Sequence, residues 1–305
     1  MISTAIDRVT VRRGLLLILL AGALWGTSGV TTKTLYRLSE TTPISVAALR
    51  LALGAPVLLA LSWRAVGGRY LKVRRSDFGL MLFAGASMGI SQACYFSAIP
   101  RAGVAAATLV AVCTAPVLVA LLSAALLRER LTLVVGGALA SALLGTVLLV
   151  DVGASQAGSQ DYALGGILFA LGAGLTSALL ILTSRRLAGR CHPLQSIAII
   201  VTVGALLLLA ASSLTTGVVL SYPPAGWALL IYLGLVPTAL AYGLFFHGMR
   251  GATATVASIG ALAEPLTSTL LAMLIFGEQL GTLGLLGATL LIGTMLFLYR
   301  NDSAA

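Results

Sequence analysis

Ten apolar stretches of about twenty residues follow one another along this chain, joined by short polar connections. They run Leu15–Thr32, Pro43–Trp63, Phe78–Ile99, Gly103–Leu127, Leu131–Asp151, Ala163–Ser184, Pro193–Leu214, Gly226–His247, Ala252–Phe276 and Leu283–Tyr299. A helix of that length, rising 1.5 Å per residue, crosses a hydrocarbon core of ~30 Å. The alternative, a water-soluble fold, needs polar side chains the chain does not have. Only 9% of its 305 residues are charged, against about 25% in ordinary soluble domains. The expected fold is therefore all-α: a polytopic integral membrane protein with ten transmembrane helices.

A formal net charge of +10 would suit nucleic-acid binding if the basic residues formed a stripe. Instead they sort by side of the membrane. Arg8, Arg12, Arg13, Arg64, Arg69, Lys72, Arg74, Arg75, Arg128, Arg130, Arg185, Arg186, Arg190, Arg250 and Arg300 fall on one side; Lys33, Arg37 and Arg101 fall on the other, and Arg50 lies within a span. Cytoplasmic loops carry the excess of Lys and Arg, so both termini are expected in the cytoplasm, which requires an even number of spans. Arg12-Arg13 followed by an apolar run and Ala21-Gly22-Ala23 resembles a signal peptide, but the run continues past that point and is read as the first span. Cys94, Cys113 and Cys191 show no paired spacing, so neither a disulfide framework nor a metal site is expected. No cofactor motif or nucleotide-binding loop is found in the sequence.

The two halves align at an offset of 149 residues. Thr27-Ser28 falls on Thr176-Ser177, Gly85 on Gly234, Arg101 on Arg250, Pro116 on Pro265, Glu129 on Glu278 and Leu131 on Leu280. Coincident Pro, Arg and Glu carry the weight, because Leu and Ala match by chance in so apolar a chain. The expected organisation is one repeat over residues 1–150, an outer linker over residues 151–162 without basic residues, and a second repeat over residues 163–305. Five spans in each half reverse the direction of the second copy. Inverted repeats are the usual construction of secondary transporters; a duplication kept only for packing is the alternative.

The chain resembles the drug/metabolite transporter superfamily, EamA type with two repeats. The residues carrying the likeness are Ala23-Leu24-Trp25-Gly26-Thr27-Ser28, Leu49-Arg50-Leu51, Ala115-Pro116-Val117 with Glu129-Arg130-Leu131, and Ala263-Glu264-Pro265-Leu266 with Gly277-Glu278-Gln279-Leu280. Gly174 stands where Trp25 maps in the second half, and Ile199 where Arg50 maps. The resemblance implies ten helices around a central cavity, lined by the first four helices of each half. It also implies a bacterial inner-membrane protein acting alone or as a homodimer, carrying amino acids, related metabolites or drug-like amphiphiles, outward more than inward.

Pro116 and Pro265 sit ~18 Å into their spans at 1.5 Å per residue, close to mid-bilayer. Each frees a carbonyl that lipid cannot satisfy, which points to a helix kink, a transport cavity or both. Arg50 and Glu264 are the intramembrane charges, ~10 Å and ~12 Å from the outer face. Such charges are costly without a partner or water. A static salt bridge, a substrate or proton site, and separate pairing all fit their depth. Glu264 maps onto Ala115, so one wall alone would be acidic, and proton coupling is expected if substrate displaces either Arg50 or Glu264 from the other. Trp25, Thr27, Ser28, Ser91, Gln92, Tyr95, Thr176, Ser177, Thr238 and Tyr242 are the polar and aromatic candidates for orienting a small-molecule substrate. The competing role for the hydroxyls is bonding to their own or neighbouring helices.

Two short motifs favour an enzyme. Gly26-Thr27-Ser28-Gly29 resembles the rhomboid intramembrane protease signature, with His247 as a candidate base, and Gly85-Ala86-Ser87-Met88-Gly89 spells a nucleophile elbow. Ten spans in an inverted repeat disagree with the protease architecture, and the elbow works only at a strand-to-helix turn. The expected function is a secondary transporter of small organic solutes. An intramembrane serine protease and a non-transporting scaffold are the alternatives.

Overall fold

The computed structural model describes residues 2–67, 73–102, 104–127, 132–149, 160–215, 217–276 and 282–300. Among these, apart from an isolated bridge between Ala188 and Cys191, the regular structure is helical. The helices are α1 (Ile2–Leu38), α2 (Pro43–Val66), α3 (Arg75–Ala102), α4 (Val104–Leu122), α5 (Leu133–Leu149), α6 (Gln160–Leu187), α7 (Pro193–Leu214), α8 (Pro224–Gly234), α9 (Ala241–Gly248), α10 (Ala254–Ala261), α11 (Ala263–Phe276) and α12 (Thr282–Arg300). Glu129, Glu278 and linker residues 151–159 lie outside the described residues. The linker assigned to residues 151–162 ends earlier than expected, because α6 begins at Gln160.

Among the described residues, six stretches are both long and apolar enough to cross a membrane: Val11–Leu38, Pro43–Val66, Arg75–Tyr95, Leu164–Leu187, Pro193–Leu214 and Pro224–Gly248. Val110–Leu126, Leu133–Gly145 and Thr282–Thr294 are shorter apolar helices. The stretch read as the ninth span is two helices, α10 and α11, meeting at Leu262. The chain is a multi-pass membrane protein. Large apolar side chains such as Leu121, Leu206 and Leu274 point outward, as lipid allows. The interior is rich in small ones, among them Ala47, Ala48, Ala84, Ala198 and Ala257, because between helices in lipid close backbone approach replaces the hydrophobic drive.

The neighbours are α1 with α9, α10 and α11, α2 with α7 and α8, α3 with α6 and α7, α4 with α6, and α5 with α12. At the seam of α1 and α11, glycine is required. A Cβ on Gly22 would stand 3.1 and 3.2 Å from the carbonyl oxygens of Gly260 and Ala261, and one on Gly26 would stand 2.6 Å from that of Glu264. The missing side chains therefore let α1 lie directly over the break between α10 and α11.

Each proline is accommodated differently. Pro116 lies inside the continuous helix α4 and is buried. Pro265 is the third residue of α11, where an amide would have no intrahelical acceptor anyway. Pro237 falls in a π-helical segment, Leu235–Leu240, between α8 and α9. It removes the amide that an α-helix would aim at the carbonyl of Leu233. The Thr238 hydroxyl donates to that carbonyl instead, at 2.8 Å.

At one end of the bundle a buried hydroxyl network ties the start of α2 to the segment joining α7 and α8. Ser45 accepts from the amide of Val219 at 3.2 Å and donates to the carbonyl of Gly217 at 3.2 Å. Thr42 caps α2 through the Ser45 amide and donates to the Ser45 hydroxyl at 2.8 Å. At the opposite end the connection of α6 to α7 is held to α3 by an ion pair between Arg190 and the buried carboxylate of Asp77, 3.5 Å apart.

Candidate functional site

Four of the residues singled out from the sequence, on α1, α2, α9 and α11, lie within ring contact or electrostatic range of one another. Trp25 on α1 packs against Tyr242 on α9, ring centroids 4.9 Å apart and planes inclined 59°, and against Phe245 at 5.2 Å and 49°. Arg50 on α2 is within electrostatic range of both the Tyr242 phenol and the Glu264 carboxyl. Glu264 sits in the first turn of α11, where the free amides of the helix start favour negative charge. Trp25, Arg50 and Glu264 are half-buried, and Tyr242 is buried.

No direct ion pair joins Arg50 to Glu264, so the two charges influence each other without neutralising one another by contact. Two donors in this group are buried without an acceptor: the Nε of Arg50 and the Nε1 of Trp25. Leaving a buried donor unmade costs about 1–3 kcal/mol, more when the group is charged. Buried donors are nearly always satisfied in native proteins. Both belong to side chains around Tyr242, Trp25 in ring contact and Arg50 within electrostatic range.

The hydroxyl candidates are largely engaged with the protein. Thr27 donates to the carbonyl of Leu24 at 2.7 Å and accepts from the Tyr232 hydroxyl at 3.0 Å. Ser28 donates to the Trp25 carbonyl, and Thr176 to that of Gly172 at 2.8 Å. Ser177 meets Ser91 at 2.7 Å, and Ser91 also reaches the carbonyl of Ala173, which together stitch α3 to α6. Gln92 and Tyr95 lie half-buried on α3; Tyr95 is within electrostatic range of Tyr36 on α1.

The Ser28 hydroxyl is turned to its own helix. His247 lies at the end of α9, bonded through Nδ1 to the Gly243 carbonyl at 2.8 Å and edge-on to His192 at 5.9 Å. Among the described residues, Ser28 and His247 thus each bond a carbonyl of their own helix and not each other. His192, at the start of α7, is held below the usual histidine range by burial, with His247 and Arg250 adding to the effect. Phe245 and Tyr232 belong to the site's surroundings and were not singled out from the sequence. Phe245 lies three residues after Tyr242, on the same helical face, a signal that was available. Tyr232 lies before the π-helical segment, whose extra residue per turn breaks the helical register that would have linked it to Tyr242.

Residues 12–151 and 164–300 each match the EamA-like transporter family, and the chain belongs to that family. The uncharacterized transporter YwfM of Bacillus subtilis (strain 168) is 32% identical over 279 residues, spanning 91% of this chain and 90% of that protein. The uncharacterized inner membrane transporter YicL of Salmonella typhimurium is 26% identical, spanning 92% and 95%. A protein of known crystal structure shares the fold with a TM-score of 0.81 at 24% identity, covering 95% of this chain and 97% of its own.

Proposed function

We propose that this protein is a secondary transporter that moves small organic solutes across a bacterial inner membrane by alternating access, with export as its direction. The site is the group formed by Trp25, Arg50, Tyr242 and Glu264 on α1, α2, α9 and α11. Amino acids, related metabolites and drug-like amphiphiles are the solutes considered, with proton coupling through Glu264. What supports this reading is a basic and an acidic residue inside apolar spans, Arg50 and Glu264, within electrostatic range of each other without a direct ion pair, in a member of a transporter family. Structural salt bridges close on each other; a pair left apart is ready for a third group.

The halves, residues 1–150 and 163–305, act in this reading as inverted five-helix repeats, giving ten spans with both termini cytoplasmic. Helix neighbours exchange as such a repeat requires: α1 lies on α11 as α6 lies on α4, while α2 with α7 and α5 with α12 pair across the halves. The orientation rests on the basic residues. In a cysteine-free background, Ser221→Cys in intact cells is expected to react with an impermeant thiol reagent, and Ser76→Cys is not. The opposite pattern reverses the orientation.

Transport itself is tested with purified protein in proteoliposomes, offered a panel of labelled amino acids and amphiphiles with and without a pH gradient. Protein-dependent counterflow of at least one solute is expected. Absence of flux across the panel, in vesicles whose protein is folded, overturns the reading.

A further inference from the structure

We propose that the group this site recognises on its solute is a carboxylate, received by the Nε of Arg50 and the Nε1 of Trp25. The proposal rests on the reading of this group on α1, α2, α9 and α11 as the solute site.

Both nitrogens are donors only, with no capacity to accept. Both are buried and without an acceptor; the Trp25 ring packs against Tyr242, and Arg50 acts electrostatically on the same tyrosine. A solute presenting only an amine brings further donors and a charge of the same sign as Arg50, so it leaves both orphans unmade. A carboxylate brings two oxygens with about four lone-pair sites and the opposite charge. Hydrogen bonds between ionised partners are about twice as strong as neutral ones. Of Trp25, Arg50, Tyr242 and Glu264, Arg50 is the basic member, so a single negative charge is what this group can neutralise. A phosphate carrying two is not matched.

Glu264 completes the selection. Its carboxylate acts on Arg50 from α11 and would repel an incoming anion. The repulsion disappears when Glu264 binds a proton or faces a positive group on the solute. A simple carboxylic acid is therefore bound with Glu264 protonated, whereas a zwitterion sets its ammonium against the ionised carboxylate and exchanges with that proton. The Trp25, Tyr242 and Phe245 rings offer the apolar part of the solute a surface.

Matched pairs of solutes test this on the purified wild-type protein. Acetate with acetamide, 4-methylpentanoate with its amide, leucine with leucinamide and phenylalanine with phenylalaninamide are compared by the rise each causes in the thermal unfolding midpoint, since ligands that bind the folded state raise it. At least one acid is expected to stabilise the protein, and its amide at the same concentration is not. Trp25→Phe, which keeps a ring and removes the donor, is expected to weaken acid binding about tenfold, and Arg50→Gln to abolish it. Simple acids should bind more tightly as pH falls, and the amino acids should not follow that trend. Amides binding as well as their acids, no acid binding at all, or Trp25→Phe binding like wild type each overturn the proposal. Should Arg50→Gln fail to fold, the wild-type panel and Trp25→Phe still decide. Acids that bind without protein-dependent flux would refute the transporter reading and leave this one standing. Flux of amines in preference to acids would do the reverse.

Discussion

In proteoliposomes containing Glu264→Gln, solute movement driven by a pH gradient is expected to fall to the level of protein-free vesicles, with the variant still folded and inserted. Glutamine keeps the size and polarity of the side chain at the start of α11 and removes only its capacity to gain and lose a proton. A helix-start role would survive that exchange almost unchanged. A proton-coupling role would not. Removing Glu264 alone leaves Arg50 as an interior cation without its counter-charge, and central charges cost about 2.5–3.5 kcal/mol on insertion scales. Arg50→Leu combined with Glu264→Leu therefore serves as the control. If the double variant regains the expression and transport that either single change destroys, the two charges serve only to balance each other. Proton-driven transport retained by Glu264→Gln alone refutes coupling through this residue.

The second large effect is expected at Gly26→Val. A Cβ at that position would stand 2.6 Å from the Glu264 carbonyl oxygen, 2.7 Å from the Thr267 Cβ and 2.9 Å from the Ser268 amide nitrogen. Two of those three atoms belong to backbone and cannot rotate away, so α11 must move off α1. Overpacking of this kind costs about 1–3 kcal/mol. Here it also displaces the turn that carries Glu264. Both a lowered unfolding midpoint in detergent and loss of transport are expected. Gly79→Ala is the comparison, because a Cβ there meets no heavy atom within 4 Å and should leave both measurements unchanged. Wild-type stability in Gly26→Val would mean that the close approach of α1 and α11 is dispensable.

Much of the candidate site was legible because charge in an apolar span is conspicuous. Arg50 and Glu264 stand out against their neighbours in any reading, and counting along their helices puts them at similar depth. Trp25 was legible for a related reason, as a tryptophan well inside a span instead of at its end. Tyr242 was named among several candidates without a reason to prefer it. The hydroxyl residues were harder to sort. Thr27, Ser28 and Thr176 are polar in composition, yet their protons go to carbonyls of their own helices, a rotamer choice that residue identity does not reveal.

The sequence by itself determined the environment of this protein and the class of its fold. Hydrocarbon admits backbone only with its hydrogen bonds made internally, so a chain of apolar stretches this long is helical wherever it crosses. The alignment of Thr27-Ser28 with Thr176-Ser177 and of Pro116 with Pro265 was equally a property of the string. Tertiary structure alone decided how the matched positions differ. Pro116 stays inside a continuous helix, while Pro265 stands in the first turn of a new one after Leu262, where Gly22 and Gly26 let α1 come close. Tertiary structure also decided that Arg50 and Glu264 stand near each other without closing into a contact, and that Trp25 shares Tyr242 with Arg50. The physical reason is that depth along a helix follows from counting residues, whereas the direction a side chain faces depends on rotation about the helix axis. That rotation is reset at every interruption, as at Leu235–Leu240 and at Leu262, and is set finally by which neighbouring backbone comes close enough to touch.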